Sequence, residues 1–157
     1  MKSKLYLEST IPSYLVARPS RDVKQSARQK WSHDWWRTRR NDFEIFVSGV
    51  VVQEIAEGEP AMAANRLKLI QPFARLEAVE SARLLATALV RGGPLPVKAE
   101  RDAAHIALAA VHGMHFLLTW NCTHIANAEM FPKMWKICEA HGFACPVICT
   151  PEELLAQ

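Results

Sequence analysis

The feature that most constrains the fold of this chain is a set of short apolar runs that do not alternate with polar residues. Phe116-Leu117-Leu118 is apolar at three successive positions, and Leu5-Tyr6-Leu7 nearly repeats the pattern. Successive side chains of a strand point to opposite faces, so a strand apolar throughout is covered on both. Five strands are expected on this basis, at 4–8, 44–47, 76–79, 115–119 and 146–150, the first ended by Ser9, Thr10 and Pro12. Between them lie helical patterns. Residues 21–38 carry Val23, Ala27, Trp31 and Trp35 at i, i+4 spacing. Further helices are expected at 48–57, ended by Gly58, at 61–71, stopped by Pro72, and at 81–91, stopped by Gly92-Gly93-Pro94. The last two are expected at 98–112 and 129–141, with Gly113 and Gly142 as C-caps. Strands alternating with helices predict a mostly parallel sheet of about five strands with helices on both sides. No linker, repeat or low-complexity stretch interrupts the pattern, so residues 1–157 read as one α/β domain.

Composition removes several function classes. At 157 residues, half apolar and 22% charged, the chain has the balance of an ordinary globular protein and needs no disulfide or metal to fold. Glu8 and Pro12 interrupt the N-terminal apolar run, so neither a signal peptide nor a membrane span is expected there. Four scattered cysteines without an export signal point to the cytoplasm. No GxGxxG or GxxxxGK occurs, so no nucleotide cofactor is expected. Neither GxSxG nor HExxH is present. The net charge of +3 conceals an uneven distribution. Arg18, Arg21, Lys24, Arg28, Lys30, Arg37, Arg39 and Arg40 face only Asp22 and Asp34 over residues 18–40. That segment carries +6 and the other 134 residues −3. A basic segment in a mildly acidic protein points to a polyanionic partner.

In open parallel sheets, ligands bind beyond the carboxyl ends of the strands, where strand order reverses. Glu8 closes the first expected strand, and Asn121 follows the fourth by two residues. Glu54 and Asp102 reach the same edge from helices. Three carboxylates and an amide are hard oxygen donors, suited to Mg²⁺ or Mn²⁺ rather than zinc. Such a cluster generates a hydroxide nucleophile and neutralises a phosphodiester. The basic segment would hold the remaining polyanion through its phosphates. Taken singly, each carboxylate also reads as a solvated or capping group.

Four stretches carry a family resemblance. They are Leu5-Tyr6-Leu7-Glu8-Ser9-Thr10-Ile11-Pro12-Ser13-Tyr14, then Val52-Gln53-Glu54-Ile55, then the stretch from Asp102 to Ala109, and then the stretch from Leu117 to Asn127. In this order, and over nearly the whole chain, they resemble PIN domains, and in particular the bacterial PIN proteins related to the VapC toxins of toxin–antitoxin pairs. The resemblance implies a three-layer α/β/α sandwich, a metal-dependent ribonuclease, an RNA substrate, a cognate antitoxin and a homodimer. By position it makes Glu8, Glu54 and Asp102 the first three acids. Asn121 falls at the fourth, and Thr119 is a supporting hydroxyl. All five are thus catalytic candidates, with Glu8, Glu54, Asp102 and Asn121 as metal ligands. Ser9, Thr10, His105 and His124 are supporting neighbours. Arg18, Arg21, Lys24, Arg28, Arg37, Arg39 and Arg40 are the candidate RNA contacts. Two positions depart from the family pattern, since Glu8 replaces Asp and Asn121 carries no charge. The uncharged fourth position weakens a second metal site more than the first.

Other constellations compete. His105 shares a helical face with Asp102 and either orients that carboxylate or packs the helix; His124 either starts a helix or touches the site. Cys138, His141, Cys145 and Cys149 have zinc-ligand spacing, although Cys138 and Cys149 fall among apolar residues, where cysteine is a small hydrophobe. Trp31, Trp35 and Trp36 sit within the basic segment, where they suit base stacking or a protein interface. The alternative to a ribonuclease is a PIN-fold module that binds RNA or protein with little or no catalysis.

Overall fold

The computed structural model describes residues 1–155. Its centre is a five-stranded sheet of β1 (Ser3–Leu7), β2 (Phe43–Ser48), β3 (Ala74–Leu76), β4 (Phe116–Leu118) and β5 (Val147–Cys149). The strands lie in the order β3-β2-β1-β4-β5, and every pairing is parallel. Strand order therefore reverses between β1 and β4, whose carboxyl ends close on Glu8 and Thr119. β1 aligns Leu5 with Phe116 and Leu7 with Leu118. The Glu8 amide continues that pairing to the Leu118 carbonyl at 3.1 Å.

Among the described residues seven α-helices cover the sheet: α1 (Thr10–Val16), α2 (Val23–Thr38), α3 (Gly49–Ile55), α4 (Pro60–Ile70), α5 (Glu80–Arg91), α6 (Glu100–Val111) and α7 (Phe131–Ala140). α1 packs on α2 and α4, while α5 packs on α6 and α7. The result is a three-layer α/β/α sandwich. Leu5, Tyr6 and Leu7 are wholly buried, as are Leu117 and Leu118, so the central strands are covered on both faces. None of the described helices is long and apolar enough to cross a membrane.

Local chemistry sets the boundaries. Pro12 does not break the chain but sits in the first turn of α1, where its missing N–H costs nothing. That helix is absent from the sequence reading. Glu59 caps α4 through its carboxylate, with Pro60 at the first helical position. Gly113 and Gly142 follow α6 and α7 at φ +70° and +86°, the left-handed conformation expected of their caps. β3 pairs through Ala74, Arg75 and Leu76, so the strand expected at 76–79 lies further back, and residues 77–79 lead into α5.

Candidate metal centre

Glu8 is 3% exposed at the end of the central strand, a costly place for a charge unless hydrogen bonds surround it. Its Oε1 receives the Thr119 hydroxyl at 2.6 Å, the Thr10 hydroxyl at 2.5 Å and the Thr10 amide at 3.2 Å. Among the described residues no donor reaches its Oε2. Thr119 ends β4 and Thr10 begins α1, so both elements beside the switch point fix this one carboxylate. Of the residues expected as supporting neighbours, Thr10 donates to Glu8 through its hydroxyl and amide, while the Ser9 hydroxyl donates to Glu54 Oε1.

Glu54 projects from the last turn of α3 toward the same point. Its Oε1 also lies 2.5 Å from His105 Nε2, and its Oε2 lies 3.9 Å from Arg101 Nε. Burial pushes the Glu54 carboxyl up, but hydrogen bonds from His105 and Ser9 and the charge of Arg101 outweigh it and leave it below the ordinary range. The carboxylates of Glu8 and Glu54 and the His105 imidazole thus lie within 4.8 Å of one another, with the imidazole turned onto Glu54 and the two carboxylates left as the ion's ligands. The donor set fits a divalent cation, since each carboxylate has one oxygen tied down by hydrogen bonds and a second free of them, that of Glu54 facing only the Arg101 guanidinium at 3.9 Å.

The other candidates are placed differently. Asp102 shares a small cleft of about 390 Å³ with Glu54, but its Oδ2 lies 3.0 Å from His124 Nδ1 and it is outside the 4.8 Å group. His105 turns to Glu54 rather than to Asp102, a pairing that helical spacing does not reveal. Asn121 caps the turn after β4: its Oδ1 accepts the His124 backbone amide at 3.0 Å, and its backbone N–H donates to Thr119 Oγ1 at 2.9 Å.

The basic segment divides. Arg28 lies over the Trp120 ring, 5.2 Å from its centroid, and 3.8 Å from Cys122 Sγ, so it adjoins the carboxyl edge of β4. Arg39 lies over Phe43 at the opposite end of the sheet, bonded to Asp42 at 2.8 Å and to the Leu154 carbonyl at 2.8 Å. Eleven helical residues at 1.5 Å each separate the two by about 16 Å. Arg37 pairs with Asp34, and Arg40 stacks on Trp36. Arg37, Arg39 and Arg40 therefore do not flank the carboxylates, whereas Lys24 lies one turn before Arg28.

The tryptophans expected to suit base stacking or a protein interface pack within the fold. Trp35 is fully buried, Trp31 stacks on Trp120, and Trp36 packs edge-on to Phe73. The cysteine–histidine constellation forms no metal group among the described residues, and all four thiols are free. An apolar cavity of about 770 Å³, lined by Phe131, Trp135 and Phe143, lies beside β5 and contains neither Glu8 nor Glu54.

Fold and carboxylate pair define the class as a parallel α/β/α sandwich with an acidic site at its switch point. A chain of the crystal structure of VapBC2 from Rickettsia felis, bound to a DNA fragment from their promoter, shares this fold. The TM-score is 0.57 at 11% identity, over 93% of this chain and 97% of that one. No family model matches the sequence, and no curated protein does.

Proposed function

We propose that the chain is a metal-dependent endoribonuclease of PIN type, the toxin of a type II toxin–antitoxin pair. The observation that carries this reading is the pair of carboxylates, Glu8 and Glu54, that meet at the switch point with one oxygen each left open. The likeness to the VapBC2 chain supports the fold on which it rests. Mg²⁺ or Mn²⁺ bound there would lower the pKa of a coordinated water and offset phosphodiester charge. Glu8 and Glu54 are the residues to hold it, and Thr10 and Thr119 keep Glu8 in place. Asp102, held by His124 in the adjoining cleft, stands ready as a third acid. Arg28, beside the edge of β4, and with it Arg18, Arg21 and Lys24 of the same basic segment, would contact phosphates. The same reading makes the protein cytoplasmic, a homodimer, and the partner of an antitoxin.

Purified protein is expected to cleave single-stranded RNA with Mn²⁺, leaving 5′-phosphate ends, and to stop on addition of EDTA. Unimpaired cleavage by both Glu8→Ala and Glu54→Ala would discard the site.

Asn121 favours a second reading, a binding module with weak catalysis, because its side-chain oxygen caps a turn instead of standing open. Asn121→Asp separates the two. Aspartate also caps turns, so the variant keeps its fold. A large gain in cleavage would mark the native site as impaired.

A further inference from the structure

Tyr6 lies in the central strand at 0% exposure, and its hydroxyl meets two groups from distant elements. Ser48 Oγ is 2.7 Å away and His105 Nδ1 is 2.6 Å away. A phenol at such a position is inferior to phenylalanine unless its hydroxyl is fully bonded. Burial holds it far above the ordinary phenol range, so it remains O–H.

Counting protons gives the chain of bonds a direction. Ser48 caps α3 and accepts the Val51 amide at 3.4 Å. Among the described residues, the only acceptor for the Ser48 hydroxyl proton is Tyr6 Oη. The Tyr6 proton then goes to His105 Nδ1, which must be bare, so Nε2 carries the imidazole hydrogen. That hydrogen points at Glu54 Oε1. The opposite direction would strand the Ser48 proton and set an imidazole lone pair against a carboxylate oxygen.

We propose that Tyr6 and Ser48 are positioning residues that hold His105 as its Nε2–H tautomer and thereby fix the Glu54 carboxylate. This rests on the reading of Glu54 as a cation ligand. The chain fills Oε1 and leaves Oε2, which faces only the Arg101 guanidinium at 3.9 Å, as the oxygen for the ion. It also ties the acid to the cap of its own helix, since Ser48 both starts α3 and orders the residue at its end.

The test combines imidazole ¹⁵N NMR of metal-free protein with calorimetric titration of Mn²⁺. The wild type is expected to show His105 as a single Nε2–H tautomer, and Tyr6→Phe to weaken that preference, leaving Glu54 alone to hold it. Mn²⁺ affinity is expected to fall about 10–100-fold in Tyr6→Phe and His105→Asn. His105→Gln, which returns an N–H donor near the Nε2 position, is expected to recover most of it. An Nδ1–H tautomer in the wild type overturns the proposal whatever the metal does, and needs no variant to fold. Unchanged Mn²⁺ affinity in folded Tyr6→Phe and His105→Asn overturns it equally. A wild type with the Nε2–H tautomer but no Mn²⁺ binding would overturn the cation reading instead, and with it the purpose assigned to the chain.

Discussion

Glu8→Gln retains the shape of the side chain and one acceptor oxygen for Thr10 and Thr119, while removing the charge. The variant is expected to fold with a stability change of about 1 kcal/mol, and to lose more than about 100-fold in cleavage, beyond the usual effect of an outer neighbour. Denaturant titration and an RNA cleavage assay check the two halves. A second expectation concerns alkali. Tyr6 and Cys149 are both raised by burial, Cys149 up to about 12 with Glu153 adding to it. Each raised group leaves stability intact below its unfolded pKa and withdraws it above, because only the unfolded chain ionises there. Stability should therefore decline from about pH 9 upward, by up to about 1.4 kcal/mol per pH unit for each such group. Tyr6→Phe should flatten the slope above pH 10 in urea titrations. At this scale the sequence singles out Glu8, because a carboxylate closing an apolar run stands out, whereas Glu54 taken alone also reads as a solvated helix residue. The sequence does not show that His105 serves Glu54, since the Tyr6 hydroxyl that turns the imidazole comes from 99 residues away.

At the scale of elements, the end of α5 depends on the absence of a side chain. A Cβ on Gly93 would lie 2.3 Å from the Leu89 carbonyl oxygen and 2.8 Å from Ile137 Cδ1. Gly93→Ala is expected to cost about 1–3 kcal/mol, seen as a Tm lower by roughly 2–10 °C. Gly92→Ala is the control, since its Cβ would meet nothing closer than 4.0 Å. The run Gly92-Gly93-Pro94 announces that stop in the sequence, as Gly113 and Gly142 announce theirs. Two elements are not announced. Pro12 reads as a breaker unless its place in a first turn is known, and β3 is a three-residue edge strand whose position is set by pairing with Phe46, Val47 and Ser48. Pairing of that kind leaves little trace in local composition.

For the whole molecule, the division of the basic segment along α2 makes a prediction that net charge could not. If RNA lies along the carboxyl edge, Arg28→Ala should weaken binding and reduce the salt slope by about 1, whereas Arg37→Ala should leave both unchanged. Fluorescence anisotropy at several salt concentrations distinguishes them. The layered fold was legible because both-sided burial of β1 and β4 is written into their composition. The split of the basic residues was not, because it follows from the direction in which α2 crosses the sheet. The strand order has a further consequence for synthesis. Glu8, Ser9 and Glu54 belong to the first half of the chain, and His105 and Thr119 to the second, joined where β1 meets β4 and where α3 meets α6. During translation the first acids leave the ribosome long before the strand that completes their surroundings. A nascent or truncated chain ending before Phe116 therefore lacks Thr119 and the whole of β4, and the surroundings of Glu8 are complete only when synthesis is well advanced.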